Sequence, residues 1–144
     1  MEKSIRVVSA VILRDGAYLI TQRREEAKHS LMWEFPGGRV EQGESDADAL
    51  KREFSERLGA EVQIGKPVAF RRHSYEGYSV ELLLYEAELI SNVAALESLK
   101  VHDFRWVPAE EFANYPFPDA DTHALDDFKL MAGNGRHDKK PPQA

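Results

Sequence analysis

Apolar residues along this chain fall into short alternating or continuous runs separated by glycine, proline and charged residues. "IRVVSAVILRDGAYLITQRR" (5–24) holds two such runs on either side of Asp15-Gly16. That dipeptide favours a tight hairpin turn, so the pattern predicts two strands. Residues 25–33 are polar and mixed, which predicts a loop. "FPGG" at 35–38 predicts a turn, because proline fixes one φ angle and glycine allows positive φ. A helix is predicted over 45–58. Ser45 stands where a cap belongs, Asp48 three residues on resembles a capping box, and Gly59 is placed to end the helix. "EVQIGKPVAF" and "FRRHSYEG" read as extended, and "YSVELLLYEAEL" (78–89) reads as a central strand. "DFRWVP" (103–108) predicts a short strand ending at Pro108, and "AEEFA" and "DTHALDDFKLMAG" predict helices, the second stopping near Gly133.

Strands in groups, with helices between and after them, predict an α+β or mixed α/β fold rather than strict alternation. A length of 144 residues suits one domain. Its expected span is 1–132, because the charged, proline-bearing 133–144 predicts a disordered tail. With 42% apolar residues the chain has enough to build a core. The net charge of −6 argues against coating nucleic acid or an anionic membrane through bulk charge. It leaves room for a local grip on one phosphate group. The absence of cysteine excludes disulfides, thiol nucleophiles and cysteine-bound zinc. No apolar run approaches the ~20 residues that span a bilayer, and "MEKSIR" lacks the apolar core of a signal peptide. The cytoplasm is the expected compartment.

The helix carries most of the chemistry in view. Ala47, Leu50, Phe54 and Leu58 fall on one side at about 100° per residue, which predicts the core face. Arg52, Glu53 and Glu56 fall roughly opposite, with Ala49 among them. Glu53 and Glu56 are three apart and repel in water by a few tenths of a kcal/mol. Two readings stay open on these residues alone: a solvated face with Arg52–Glu56 pairing, or a site for a hard cation such as Mg²⁺.

The wider spacing resembles a known pattern. Gly38, five residues, Glu44, seven residues, then Arg52-Glu53-Phe54-x-Glu56 and Gly59 resemble the Nudix box, G-x5-E-x7-R-E-U-x-E-E-x-G-U, where U is a bulky aliphatic residue. "WEFPGG" before the box, "TQRR" upstream, and "FRWVPAEEF" and "YPFPDAD" downstream resemble the MutT-like branch of that family. The resemblance covers roughly residues 4–130. It implies the Nudix fold, a mixed sheet between helices, and Mg²⁺-dependent attack of water on a nucleoside polyphosphate, with Mn²⁺ as a substitute metal. It further implies that Glu53 and Glu56 ligate metal with the carbonyl of Gly37 or Gly38. Glu53 is the first candidate for general base, Arg52 holds Glu53, and Glu44 braces the site. Phe54 and Ala60 depart mildly from the pattern. Arg57 departs sharply, standing where the family has a second glutamate, and Lys100 stands where many MutT-like proteins carry another.

Candidate substrate contacts follow from the same resemblance, which at Arg23 and Asp119 matches positions where MutT-like proteins meet the nucleotide and its base. Arg57 is placed to meet a phosphate. Arg23 reads either as a nucleotide contact or as an exposed strand end. Asp119 reads either as a reader of the base or as a helix N-cap, and Phe35 either as pocket lining or as core. Arg71, Arg72 and His73 are a solvated strand edge or a phosphate grip. The expected substrate is a nucleoside 5′-triphosphate, guanine type (GTP, dGTP, 8-oxo-dGTP) ahead of cytosine, cleaved to monophosphate and pyrophosphate. Two rival readings are removal of pyrophosphate from the 5′ end of triphosphorylated RNA and a nucleotide-binding module without catalysis. No membrane partner is expected, and the oligomeric state stays open, a homodimer included.

Overall fold

The computed structural model describes residues 3–90 and 96–118. The predicted helix after residue 118, the tail and Asp119 lie outside the described residues. Among the described residues, eight strands form two sheets. The first has the order β5 (Gly37–Arg39), β1 (Lys3–Val11), β7 (Tyr78–Leu89), β6 (Val62–Tyr75). β1 and β7 run parallel, from Lys3 opposite Tyr78 to Val11 opposite Glu86, and the other two pairs are antiparallel. In the second sheet β3 (Ala17–Gln22) pairs along its length with β8 (Asp103–Val107). It also pairs with β2 (Leu13–Arg14) and β4 (Trp33–Glu34) at its two ends. The predicted Asp15-Gly16 turn is present, with φ of 52° and 79°. The run before it is not one strand, however. It breaks at Ile12, so the chain passes from the first sheet into the second. "EVQIGKPVAF" and "FRRHSYEG" join instead into the single edge strand β6. Pro67 sits there at a register shift, where a missing N–H costs no ladder bond.

Helix α1 (Asp46–Leu58) covers one face. Ser45 Oγ accepts from Asp48 N at 3.1 Å, and Gly59 closes the helix in the left-handed region at φ 63°. One core gathers Leu50, Phe54 and Leu58 against Val8, Ala10, Leu19 and Val62. The other lies across the sheets, where Phe35, Leu82, Leu84 and Val107 meet Phe112 of the 3₁₀-helix Ala109–Asn114. The fold is therefore α+β, with mixed sheets between helical layers. Two sequence expectations need correction. Ala47 is only half-buried, whereas Ala49 and Glu53 are buried. The helix is flanked by β5 as well as by the core, so the side expected to face solvent is half covered. The glycines of "FPGG" do not turn the chain either. The bend falls at Pro36, and Gly37 and Gly38 run on as strand β5. Space demands glycine there: a Cβ on Gly37 would lie 2.0 Å from the Val8 carbonyl oxygen, and one on Gly38 would lie 2.4 Å from the carboxyl carbon of Glu53.

Asp46 anchors the start of the helix to the sheet. Arg6 donates to both its oxygens, at 3.0 and 2.8 Å, and Tyr85 Oη donates at 2.5 Å. The Arg6 hydrogen bonds hold the Asp46 carboxyl below the ordinary aspartate range. A depressed folded pKa contributes stability that is present above the unfolded value and is lost as pH falls through the folded one. Asp46→Asn is expected to cost about 1 kcal/mol at neutral pH, screened because Arg6 is partly exposed. Thermal melts from pH 7 to pH 2 check this: the gap between wild type and variant should close on the acid side.

Candidate active site

Arg52 is the hub of the box. Its Nε and Nη2 donate to the two oxygens of Glu44, at 2.7 and 3.0 Å, and Nη2 also donates to the Arg39 carbonyl at 3.0 Å. Nη1 donates to Glu53 Oε2 at 2.9 Å and reaches Glu56 Oε1 at 3.5 Å. The main-chain N–H of Glu41 adds a bond to Glu44 at 2.9 Å. The Arg52 bond comes first among the causes that hold the Glu44 carboxyl below the ordinary glutamate range, so it stays ionised. One guanidinium thus ties the loop before the helix, strand β5 and the helix itself into a fixed unit. Glu53 is held on its other oxygen by Arg57 Nε, one helical turn on. Only 8% of the Glu53 side chain is exposed, against 47% for Glu56.

The strand facing these groups presents a carbonyl to them. Ala10 N donates to Pro36 O at 2.8 Å and Val40 N to Arg6 O at 3.0 Å. In an antiparallel ladder these bonds alternate, so Gly38 turns its N–H and C=O toward β1, and Gly37 and Arg39 turn theirs away. The Arg39 carbonyl is the one that Arg52 reaches. Of the two candidate carbonyls, the one on Gly37 therefore faces the box.

Two cavities meet beside this unit. A polar cleft is lined by Glu41, Glu53 and Glu56 together with Arg52 and Lys100. A second cavity of about 170 Å³ has apolar walls from Val7, Val80 and Leu82, and its polar groups include Lys28 and Glu34. Arg23 and Arg57 line both. Arg23 donates to Glu34 Oε1 at 2.9 Å and to the Lys28 carbonyl at 2.6 Å. Burial pushes the Glu34 carboxyl above the ordinary glutamate range, against the pull of Arg23. Tyr75 and Tyr78 stack at the rim, 5.1 Å between ring centres, with the Lys28 ammonium 4.1 Å from the Tyr78 ring centre.

The structure thus brings Arg23, Gly37, Gly38, Glu44, Arg52, Glu53, Glu56 and Arg57 together. Phe35 is not with them. It is 2% exposed and packs edge-on against Phe112 and Phe117, each 5.9 Å away, so the core takes it rather than a pocket wall. Arg71, Arg72 and His73 sit on edge strand β6 and line neither cavity. Glu34, Lys28, Tyr75 and Tyr78 were not singled out from the sequence. The tyrosines had a usable signal. They flank Glu76-Gly77, and residues on either side of a two-residue turn are cross-strand neighbours. Lys28 sits in a stretch without periodicity and had none.

An α+β fold in which an arginine-braced acidic helix faces a glycine strand beside a mixed pocket is the framework expected of Nudix hydrolases. Residues 7–127 match the NUDIX domain family, and the chain belongs to that family. It is a Nudix hydrolase of the MutT-like kind. It is similar to the CTP pyrophosphohydrolase of Escherichia coli K12, 35% identical over 132 residues that cover 90% of this chain and 94% of that protein. It is also similar to the 8-oxo-dGTP diphosphatase of Haemophilus influenzae, 38% identical over 93 residues, 63% of this chain and 61% of that protein. The crystal structure of the MutT protein from Methanosarcina mazei Go1 shares the fold, with a TM-score of 0.78 at 20% identity, covering 91% of this chain and 96% of that one.

Nudix hydrolases generally use divalent metal ions. Among the described residues no three acidic or histidine side chains converge closely enough to hold such an ion by themselves. Two carboxylates, on Glu53 and Glu56, and the outward Gly37 carbonyl do suit a hard cation that keeps several waters and takes further oxygens from a substrate. The glycine at 38 leaves room for the Glu53 carboxylate that any side chain there would fill. The donor set fits. Among the described residues, no helix is long and apolar enough to cross a membrane.

Proposed function

We propose that this protein is a Mg²⁺-dependent pyrophosphohydrolase of nucleoside 5′-triphosphates, releasing the monophosphate and pyrophosphate by attack of water, with Mn²⁺ as a substitute. The observation that carries the reading is the Glu53 carboxylate, fixed by Arg52 against Gly38 in a polar cleft that shares Arg23 and Arg57 with a base-sized pocket. Glu53, Glu56 and the Gly37 carbonyl would hold the metal, which would supply positive charge to a heavily anionic substrate. Glu53 accepts the proton of the attacking water. Arg52 keeps the Glu53 carboxylate aimed, and Glu44 fixes Arg52. Arg23 and Arg57, at the junction of the two cavities, take the phosphates. A cavity of about 170 Å³ has room for a base, and the triphosphate extends from it past Arg23 and Arg57 into the polar cleft. Apolar walls take the ring faces and Glu34 offers oxygens to an amino or imino edge.

Guanine nucleotides, including 8-oxo-dGTP, are the first reading of the base. Cytosine is the second, favoured by the similarity over nine tenths of the chain to a CTP pyrophosphohydrolase. Pyrophosphate release from GTP, 8-oxo-dGTP, CTP and a 5′-triphosphorylated RNA, each with Mg²⁺, separates them. Turnover of a free nucleotide is expected to exceed that of RNA by at least tenfold, roughly the discrimination that 1.4 kcal/mol supplies. Turnover confined to RNA would replace this reading with an RNA 5′-end hydrolase.

A further inference from the structure

We propose that Arg57 competes with the divalent cation for Glu53 and so weakens the metal affinity of the unliganded protein. This rests on the reading of Glu53 as a metal ligand. Both oxygens of that carboxylate are occupied by guanidinium groups, Oε2 by Arg52 at 2.9 Å and Oε1 by Arg57. The two contacts differ in kind. Arg52 is pinned by three further acceptors on Glu44 and Arg39, so it stays where it is. The Arg57 side chain, 35% exposed, has Glu53 as its one ion-pair partner among the described residues, and it borders both cavities. It is the guanidinium that can leave.

Burial makes the contact matter. A carboxylate with 8% of its side chain exposed has little water to turn to, so a cation arriving at Oε1 must replace a charge-assisted hydrogen bond rather than a solvent molecule. The local charge acts in the same direction. The cleft is lined by three glutamates against four arginines and Lys100, an excess of two positive charges. Lys100 is held beside Arg57 by its own N–H, which donates to the Arg57 carbonyl at 3.1 Å. Two positions at which the family pattern carries acids thus both carry cations here, side by side, at the end of the helix that bears Glu53 and Glu56. Removing the charge of Arg57 frees Oε1 and lowers the positive excess together.

Mn²⁺ binding to the full chain, followed by electron paramagnetic resonance without nucleotide, tests this. Arg57→Gln is expected to bind Mn²⁺ roughly tenfold more tightly than wild type, the scale of one charge-assisted bond. Arg57→Lys, which keeps the charge but offers no planar fork, should fall between. It also serves if the glutamine variant folds poorly. A second readout is the shift in melting temperature on adding Mn²⁺, expected to be larger in both variants than in wild type. Equal Mn²⁺ affinity in wild type and both variants would overturn the proposal. Glu53→Gln separates this failure from failure of the functional reading. If it abolishes Mn²⁺ binding while the Arg57 variants bind as wild type does, only the competition is wrong. If it leaves Mn²⁺ binding intact, Glu53 is not a ligand and both fall.

Discussion

Glu53→Gln is expected to lower kcat/KM for nucleoside triphosphate hydrolysis by about a thousandfold, within the range lost when a positioned general base is removed. Glutamine fills the same volume and can still accept from Arg52, so the helix has no steric reason to move. What disappears is the charge proposed to orient water and bind a hard cation. The change is not silent for stability. Glu53 is buried between two guanidinium groups, and its neutralisation leaves Arg52 and Arg57 facing one another across an uncharged amide. A cost of about 1–3 kcal/mol follows. Urea denaturation read beside the rate distinguishes lost chemistry from lost fold. A thousandfold fall in rate with the unfolding transition still well above the assay conditions is the predicted pair of results.

Gly37→Ala is expected to have the largest effect on stability, and its contrast with Gly38→Ala is the informative part. The new methyl at 37 would sit 2.0 Å from the Val8 carbonyl oxygen and 2.7 Å from Ser9 Cα. Both are main-chain atoms of a strand paired on both sides, by β5 and β7, so they cannot retreat without opening the sheet. A cost of about 3 kcal/mol or more is expected, at the upper end for overpacking. At position 38 the methyl would meet the carboxyl group of Glu53, the far end of a side chain that can rotate away. Gly38→Ala should therefore cost less than Gly37→Ala, about the 1–3 kcal/mol of a disturbed Arg52–Glu53–Arg57 contact, yet lose most of its activity, because the displaced carboxylate is the proposed metal ligand and base. If both variants lost stability equally, the close approach of helix to strand would not be what requires glycine at 38.

How far the sequence reveals this arrangement depends on whether the cause is local. The Ser45 cap, the Gly59 stop and the Asp15-Gly16 turn are set by neighbours in sequence, and they are where the pattern puts them. The parallel pairing of β1 with β7 joins segments some 75 residues apart, as in Lys3 opposite Tyr78, and no local periodicity encodes it. Helical periodicity marks one core face, which is right for Leu50, Phe54 and Leu58. It misses Ala49, which joins that core, and Glu53, whose carboxylate lies against Gly38 of a second neighbour, β5. The residues of the box stand out by resemblance to a family pattern, not by physical periodicity, which leaves both a solvated face and a metal site open. The role of Arg52 as hub, linking Glu44, Arg39 and Glu53, emerges only when loop, strand and helix are placed together. Asp46, the first residue of the helix, binds Arg6 and Tyr85 across the fold, which no local pattern encodes.

The central claim is a reaction: water cleaves a nucleoside triphosphate into two specific products, at a rate that depends on Glu53. Phosphorus NMR of the protein with GTP, 8-oxo-dGTP or CTP and Mg²⁺ reads it directly. Monophosphate and pyrophosphate should appear in equal amounts with at least one of these nucleotides, with neither formed when the metal is chelated and both formed about a thousandfold more slowly when Glu53 is glutamine. Binding of these nucleotides without turnover, or release of orthophosphate and a diphosphate, would contradict the account.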